Sequence, residues 1–141
     1  MISFCIPFSN DEYFNERKQI VIFALNDLIL KLTKFRIEAQ IILVDFGGKR
    51  ETIDTNLLRL GNLTKKIQIK YIKAKEKNSN KFYYGDALKV AINNSDSENI
   101  LIKASDTIFN NQIYYFLKEK KFLNIFFYCV LRKDFKHVFQ N

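Results

Sequence analysis

A chain of 141 residues is long enough to bury one hydrophobic core and too short for two comfortable ones. With 48% hydrophobic and 15% aromatic residues it can pack an interior, which argues against disorder, while one proline and four glycines exclude collagen-like, linker and low-complexity sequence. The net charge of +8 invites an anionic partner, although part of it accompanies a general richness in Lys, Asn, Ile and Phe.

The opening Ile2–Ile6 is a short apolar run closed by Pro7, and Ser9, Asn10 and Asp11 follow as turn and N-cap residues. A long helix is expected next, because Val21, Ala24, Leu25, Leu28, Ile29 and Leu32 recur at three and four to form one apolar stripe. Ala39–Val44 is near-continuously apolar and is bounded by Asp45 and by Gly47 and Gly48, the pattern of a strand buried on both faces in a parallel sheet. A short helix is expected over residues 51–60, with Ile53, Leu57 and Leu60 on one side. Ile67–Ile72 alternates Ile67, Ile69 and Tyr71 with Gln68 and Lys70 and predicts a third strand. After a polar loop, Tyr84–Asn94 predicts a helix whose inner face is Ala87, Val90 and Ala91, small enough for close approach to a sheet. Ile100–Ile102 predicts a fourth strand, Ile113, Phe116 and Leu117 a helix, and Leu123–Leu131 a fifth strand.

Strand and helix thus alternate throughout, which predicts a single α/β domain over residues 1–141, three-layer α/β/α with a mainly parallel central sheet. Ligands of such sheets bind beyond the carboxyl ends of the strands. That rule draws attention to Ser9, Asn10 and Asp11, to Asp45, to Lys73 and Lys75, and to Ser105 and Asp106.

Several chemistries find no support there. The turn after the first strand lacks glycine, against a dinucleotide fingerprint, and no phosphate loop of the GxxxxGK[ST] type occurs. Cys5 and Cys129 form no CxxC pair and read as buried free thiols, and the single His137 cannot complete a zinc site or a nucleophilic triad with them. The opening residues do not read as a signal peptide, and no window approaches the ~18 apolar residues that cross a bilayer. A cytoplasmic location is expected, with peripheral membrane or partner contact offered by residues 65–81, where seven lysines face one acid, Glu76. A solvated lysine-rich surface accounts for that stretch equally, and without stacking aromatics interleaved among the lysines nucleic acid ranks last as a partner.

The order of motifs resembles the family 2 glycosyltransferases, which have the GT-A fold. Ser3-Phe4-Cys5-Ile6-Pro7-Phe8-Ser9-Asn10 is similar to their first strand and turn, and Leu43-Val44-Asp45-Phe46-Gly47-Gly48 to their second. A small-residue helix, Gly85–Ile92, then leads through Ile100–Ile102 to Ala104-Ser105-Asp106 in the place of their acidic DxD motif. The likeness covers about residues 2 to 110. It implies a nucleotide diphosphate sugar as donor, a UDP-sugar first, and transfer of the sugar to a glycan, lipid or protein. It also implies that Pro7, Ser9, Asn10, Asp45, Phe46, Lys103 and Ser105 line the donor pocket. Asp106 is implied to meet a divalent metal, Mn²⁺ or Mg²⁺, that bridges the diphosphate. The departures are equally specific. Phe46 replaces a second acid, Ala104 replaces the first acid of DxD, and only 35 residues follow Asp106, so the acceptor half is absent or reduced. Glu119 and Asp134 are the acids in that remainder, neither in a recognisable motif, and His137 reads as a solvated tail residue. A donor-binding module without catalysis is the alternative. For Asp106 itself, capping the segment that begins Ile108-Phe109 is an equally plain role.

Overall fold

The computed structural model describes residues 1–9, 14–46, 53–54, 58, 66–74 and 84–119. In chain order they form β1 (Ile2–Ser9), α1 (Phe14–Lys34), β2 (Ala39–Phe46), β3 (Ile67–Ala74), α2 (Tyr84–Asn93), β4 (Ile100–Ile102) and α3 (Asn111–Glu119). The four strands make one sheet in the order β3-β2-β1-β4, and every pairing is parallel.

Side-chain alternation explains the layers. Ile2, Phe4, Ile6 and Phe8 of β1 and Ala39, Ile41 and Leu43 of β2 point to one face, where the predicted stripe of α1 meets them. Tyr114 and Leu117 of α3 join the same cluster, and so do Ile53 and Leu58 from the β2–β3 connection. Cys5, Ile42, Val44 and Phe46 point to the other face and receive Ala87 and Ala91 of α2. The chain advances from β1 to β2 to β3 in one direction and then returns across the sheet to β4. Right-handed crossovers require the covering elements to change face at that reversal, which is where α2 is found.

Two local devices fix the ends of these elements. Helix α1 closes with Ile37 N–H donating to Leu32 C=O at 2.9 Å and Arg36 N–H to Thr33 C=O at 3.1 Å. That is the Schellman arrangement, with Arg36 at φ 55° in the left-handed position that glycine usually fills. In β1 the odd residues face β4: Ser3 N–H donates to Asn99 C=O, and Cys5 C=O accepts from Lys103 N–H at 3.0 Å. Pro7 is next in that row and has no N–H, so the β1–β4 ladder stops at Lys103.

The strand ends expected from sequence are three residues short for β1 and two for β2 and β3, which run on to Ser9, Phe46 and Ala74. The expected fifth strand, Leu123–Leu131, lies outside the described residues, as do Leu57 and Leu60 of the expected short helix, whose described residues Ile53, Asp54 and Leu58 are not helical. No helix among the described residues is long and apolar enough to cross a membrane.

Candidate functional site

The carboxyl ends of β1, β2 and β3 finish level. Ser9 pairs with Phe46 and Phe46 with Ala74, and one row below Phe8 pairs with Asp45 and Asp45 with Lys73. Strand β4 is different, for its last residue, Ile102, pairs with Cys5. It stops four residues below Ser9, roughly 13 Å at 3.3 Å per residue. Because the strand order reverses between β1 and β4, this step in the sheet lies at the topological switch point, where open α/β sheets hold ligands. Ser9 stands on its β1 side and is half-buried; on its β4 side the chain turns through Ser105 and Asp106, also half-buried.

Lys103 governs that turn. It continues the row of Leu101, which pairs with Phe4 on the α1 face, so its side chain enters the core rather than the solvent. The residue is 2% exposed. Its ammonium donates to Ala104 C=O at 3.0 Å and to Thr107 C=O at 2.6 Å, and lies 5.5 Å from the centre of the Phe109 ring. Burial pulls its pKa down from 10.5 to about 8, against the support of the nearby carboxylates of Asp106 and Asp27. Its charge thus sits beneath the turn, whereas the family resemblance implied a cation lining the donor pocket.

Asp45 is also turned inward. It is fully buried on the α1 face and accepts a 2.6 Å hydrogen bond from the Tyr71 hydroxyl. The Lys73 ammonium lies 3.0 Å from the same carboxylate oxygen without hydrogen-bond alignment, so its hold is coulombic. Tyr71 in turn accepts from the N–H of Ile53 at 3.4 Å and meets Phe8 edge-on at 6.2 Å. The cluster ties β2, β3 and the segment between them together. Phe46, one residue on, packs in the opposite core layer beside Ala87 and Ala91 and is 6% exposed.

The remaining candidates divide simply. Pro7 lies within β1 and ends its ladder with β4. Glu119 is exposed at the end of α3. Asn10, Asp11, Lys75, Asp134 and His137 lie outside the described residues. Of the basic stretch, Lys70 pairs with Asp96 at 2.6 Å and Lys73 with Asp45, so two of its charges are balanced within the protein.

A hard dication needs several oxygen ligands around it. Among the described residues no three His, Cys, Asp or Glu side chains converge, and Asp106 has Ala104 and a neighbouring ammonium where a second carboxylate would help. These residues do not by themselves fit the implied Mn²⁺ or Mg²⁺.

Sequence reasoning missed one polar network, at the amino ends of the strands. Gln40 is buried in the sheet, accepts from the Ser3 hydroxyl at 3.1 Å and the Asp96 N–H at 3.0 Å, and donates to the Asp96 carboxylate at 2.7 Å. Lys70 donates to the same oxygen at 2.6 Å, and Ser95 donates to Ser3 at 2.7 Å. The signal was a glutamine inside an otherwise apolar run, which only a partner could make affordable. Its place opposite the carboxyl ends, and the satisfaction of its groups within the protein, make it a fastening for the α2–β4 turn.

Fold and site together define an α/β protein with an all-parallel four-stranded sheet and a stepped switch point between β1 and β4. Comparison of the chain with protein-family models, with curated proteins and with solved structures finds no match.

Proposed function

We propose that this chain binds a nucleotide diphosphate sugar, a UDP-sugar first, in the step between β1 and β4, and that it is a glycosyltransferase-like protein passing the sugar to a glycan, lipid or protein acceptor. One observation carries the reading: the strand order reverses at β1, and β4, the shortest of the described strands, ends four residues below β1 at that switch point, flanked by Ser9 and by Ser105 and Asp106. The hydroxyls of Ser9 and Ser105 can donate to phosphate or ribose oxygens, and the Asp106 carboxylate can accept from sugar hydroxyls. No step is assigned to a metal, and none of the described acids is assigned as catalytic base.

Titration calorimetry with UDP-glucose, UDP-N-acetylglucosamine, UDP-galactose and free UDP, each with and without Mn²⁺, tests the reading. Binding of at least one, weakened about tenfold or more by Asp106→Ala, is the expected result. Absence of binding across the panel refutes it. Short single-stranded DNA or RNA binding instead, with affinity falling steeply as salt rises, would move the chain to the nucleic-acid class.

A second reading is favoured by a specific observation. Asp45 is buried and held by Tyr71 and Lys73, and Ala104 stands where the family pattern has an acid, so one acid of that pattern is engaged within the protein and another is missing. A donor-binding module without transfer fits those facts. UDP release from a UDP-sugar, measured with and without candidate acceptors, separates the two: the module binds and releases nothing.

A further inference from the structure

The turn after β4 is built on one buried cation. The Lys103 backbone N–H fastens the start of the turn to β1 through Cys5 C=O at 3.0 Å. Its ammonium then curls back under its own chain and takes the carbonyls of Ala104 and Thr107, at 3.0 and 2.6 Å. These two acceptors bracket Ser105 and Asp106. The Thr107 hydroxyl adds a 3.0 Å bond to Ala104 C=O, and Lys31 from α1 donates to Phe109 C=O at 3.1 Å, so the exit from the turn is held as well. The charged and titratable groups near the ammonium are Asp106 in the turn and Asp27 on α1. Lys31 pairs with Asp27 at 3.1 Å, and Tyr114 of α3 lies under Lys31 with its hydroxyl buried.

Desolvating an ammonium is costly, and an apolar side chain of similar length would fill the same space without that cost. What an apolar side chain lacks is donors, and here two of the three are spent on the carbonyls at either side of one dipeptide. We propose that Lys103 is a positioning residue, which by holding the carbonyls of Ala104 and Thr107 fixes the turn that presents Ser105 and Asp106 beside the β1/β4 step. For its ligand the proposal rests on the nucleotide-binding reading; for the turn it does not. Lying beneath the chain, the ammonium acts on a ligand through Ser105 and Asp106 rather than by touching it.

Two measurements on the full chain test this. Backbone ¹⁵N relaxation of the free protein should give order parameters for Ser105, Asp106 and Thr107 near the rigid value of about 0.85, falling below about 0.6 in Lys103→Met, with Ile41 and Leu43 unchanged. UDP affinity should fall about tenfold in Lys103→Met, and by less than about twofold when the same change is made in an Asp106→Ala background. A general loss of structure would weaken binding by the same factor in both backgrounds. Unchanged order parameters at 105–107, or equal factors in the two backgrounds, overturn the proposal. If the wild type binds no UDP, the nucleotide reading fails and the order parameters alone decide the role of Lys103. Should Lys103→Met not fold, Lys103→Gln, which removes the charge and shortens the reach, is measured in its place.

Discussion

Replacing Lys103 by methionine should change how stability responds to pH, in a direction fixed by its burial. The folded chain holds this ammonium at a pKa of about 8, against 10.5 for an exposed lysine. Below pH 8 both folded and unfolded chains carry the proton, and the full penalty of burying the charge is present. Between pH 8 and 10.5 the folded chain has released the proton while the unfolded chain still holds it, so stability rises with pH. At about 1.4 kcal/mol per pH unit the penalty is about 3 kcal/mol at pH 7, and most of it is relieved by pH 10. The thiol of Cys5, pushed up to about 11 by burial, works in the opposite sense from pH 9 upward, but it is common to both proteins and cancels in their difference. Urea unfolding of wild type and Lys103→Met at pH 7, 8, 9 and 10 measures that difference directly. The wild type should gain on the variant by roughly 2–3 kcal/mol over the range. A difference that stays constant, or moves the other way, would mean that Lys103 is not buried as a charged group.

Other perturbations follow from the same packing. Asp45→Ala leaves the Lys73 ammonium without its counter-ion and takes from the Tyr71 hydroxyl the acceptor it donates to, and should cost about 3–5 kcal/mol by urea unfolding, against about 1 kcal/mol for Tyr71→Phe. Hydrogen bonds from Lys70 and Gln40 hold the Asp96 carboxyl below its ordinary 3.8. Its contribution is therefore present above that pH and is lost as acid carries the folded chain through its own, lower value. Thermal melts should find Asp96→Asn less stable than wild type at pH 6, with the gap narrowing as the pH falls below 3.8. Arg36→Gly should raise stability, by up to about 1 kcal/mol, because the left-handed conformation at φ 55° no longer opposes a side chain. Ala91→Leu drives a larger side chain into the layer between α2 and the sheet and should cost about 1–3 kcal/mol in the same assay.

The elements were legible because each carries its own period. The stripe of Val21, Ala24, Leu25, Leu28, Ile29 and Leu32 is buried as its spacing predicts, and Ile100–Ile102 has the expected bounds. Ala87 and Ala91 lie against the sheet as small residues should. What the pattern did not carry is pairing between distant segments. Asp45 meets Lys73 and Tyr71 only because β2 and β3 are neighbours in register, a relation that no local spacing encodes. Lys103 was expected to line the donor pocket beyond the end of its strand. The alternation that turns Leu101 toward the core and exposes Ile102 sends it inward instead, and its polar head is satisfied by carbonyls of its own turn. Such bonds to backbone leave no mark in side-chain composition. The candidate site was legible as a place to look, the carboxyl edge, and much less so as a set of side chains.

The central position of β1 has a consequence for how the chain comes together. One edge of β1 takes β2, which begins at Ala39, but the other takes Ile100–Leu101–Ile102, nearly a hundred residues away. A chain emerging from the ribosome at about 5–20 residues per second carries that second edge bare for roughly 5–20 s after β1 has appeared. Pairing over such a separation is slow even once the partner exists, since the loop must close before the contact rewards it. A strand buried almost end to end in the finished sheet is thus the one that waits longest for its second partner while the chain is made. Pro7, which offers no N–H along that edge, leaves a passing strand one fewer donor to grasp.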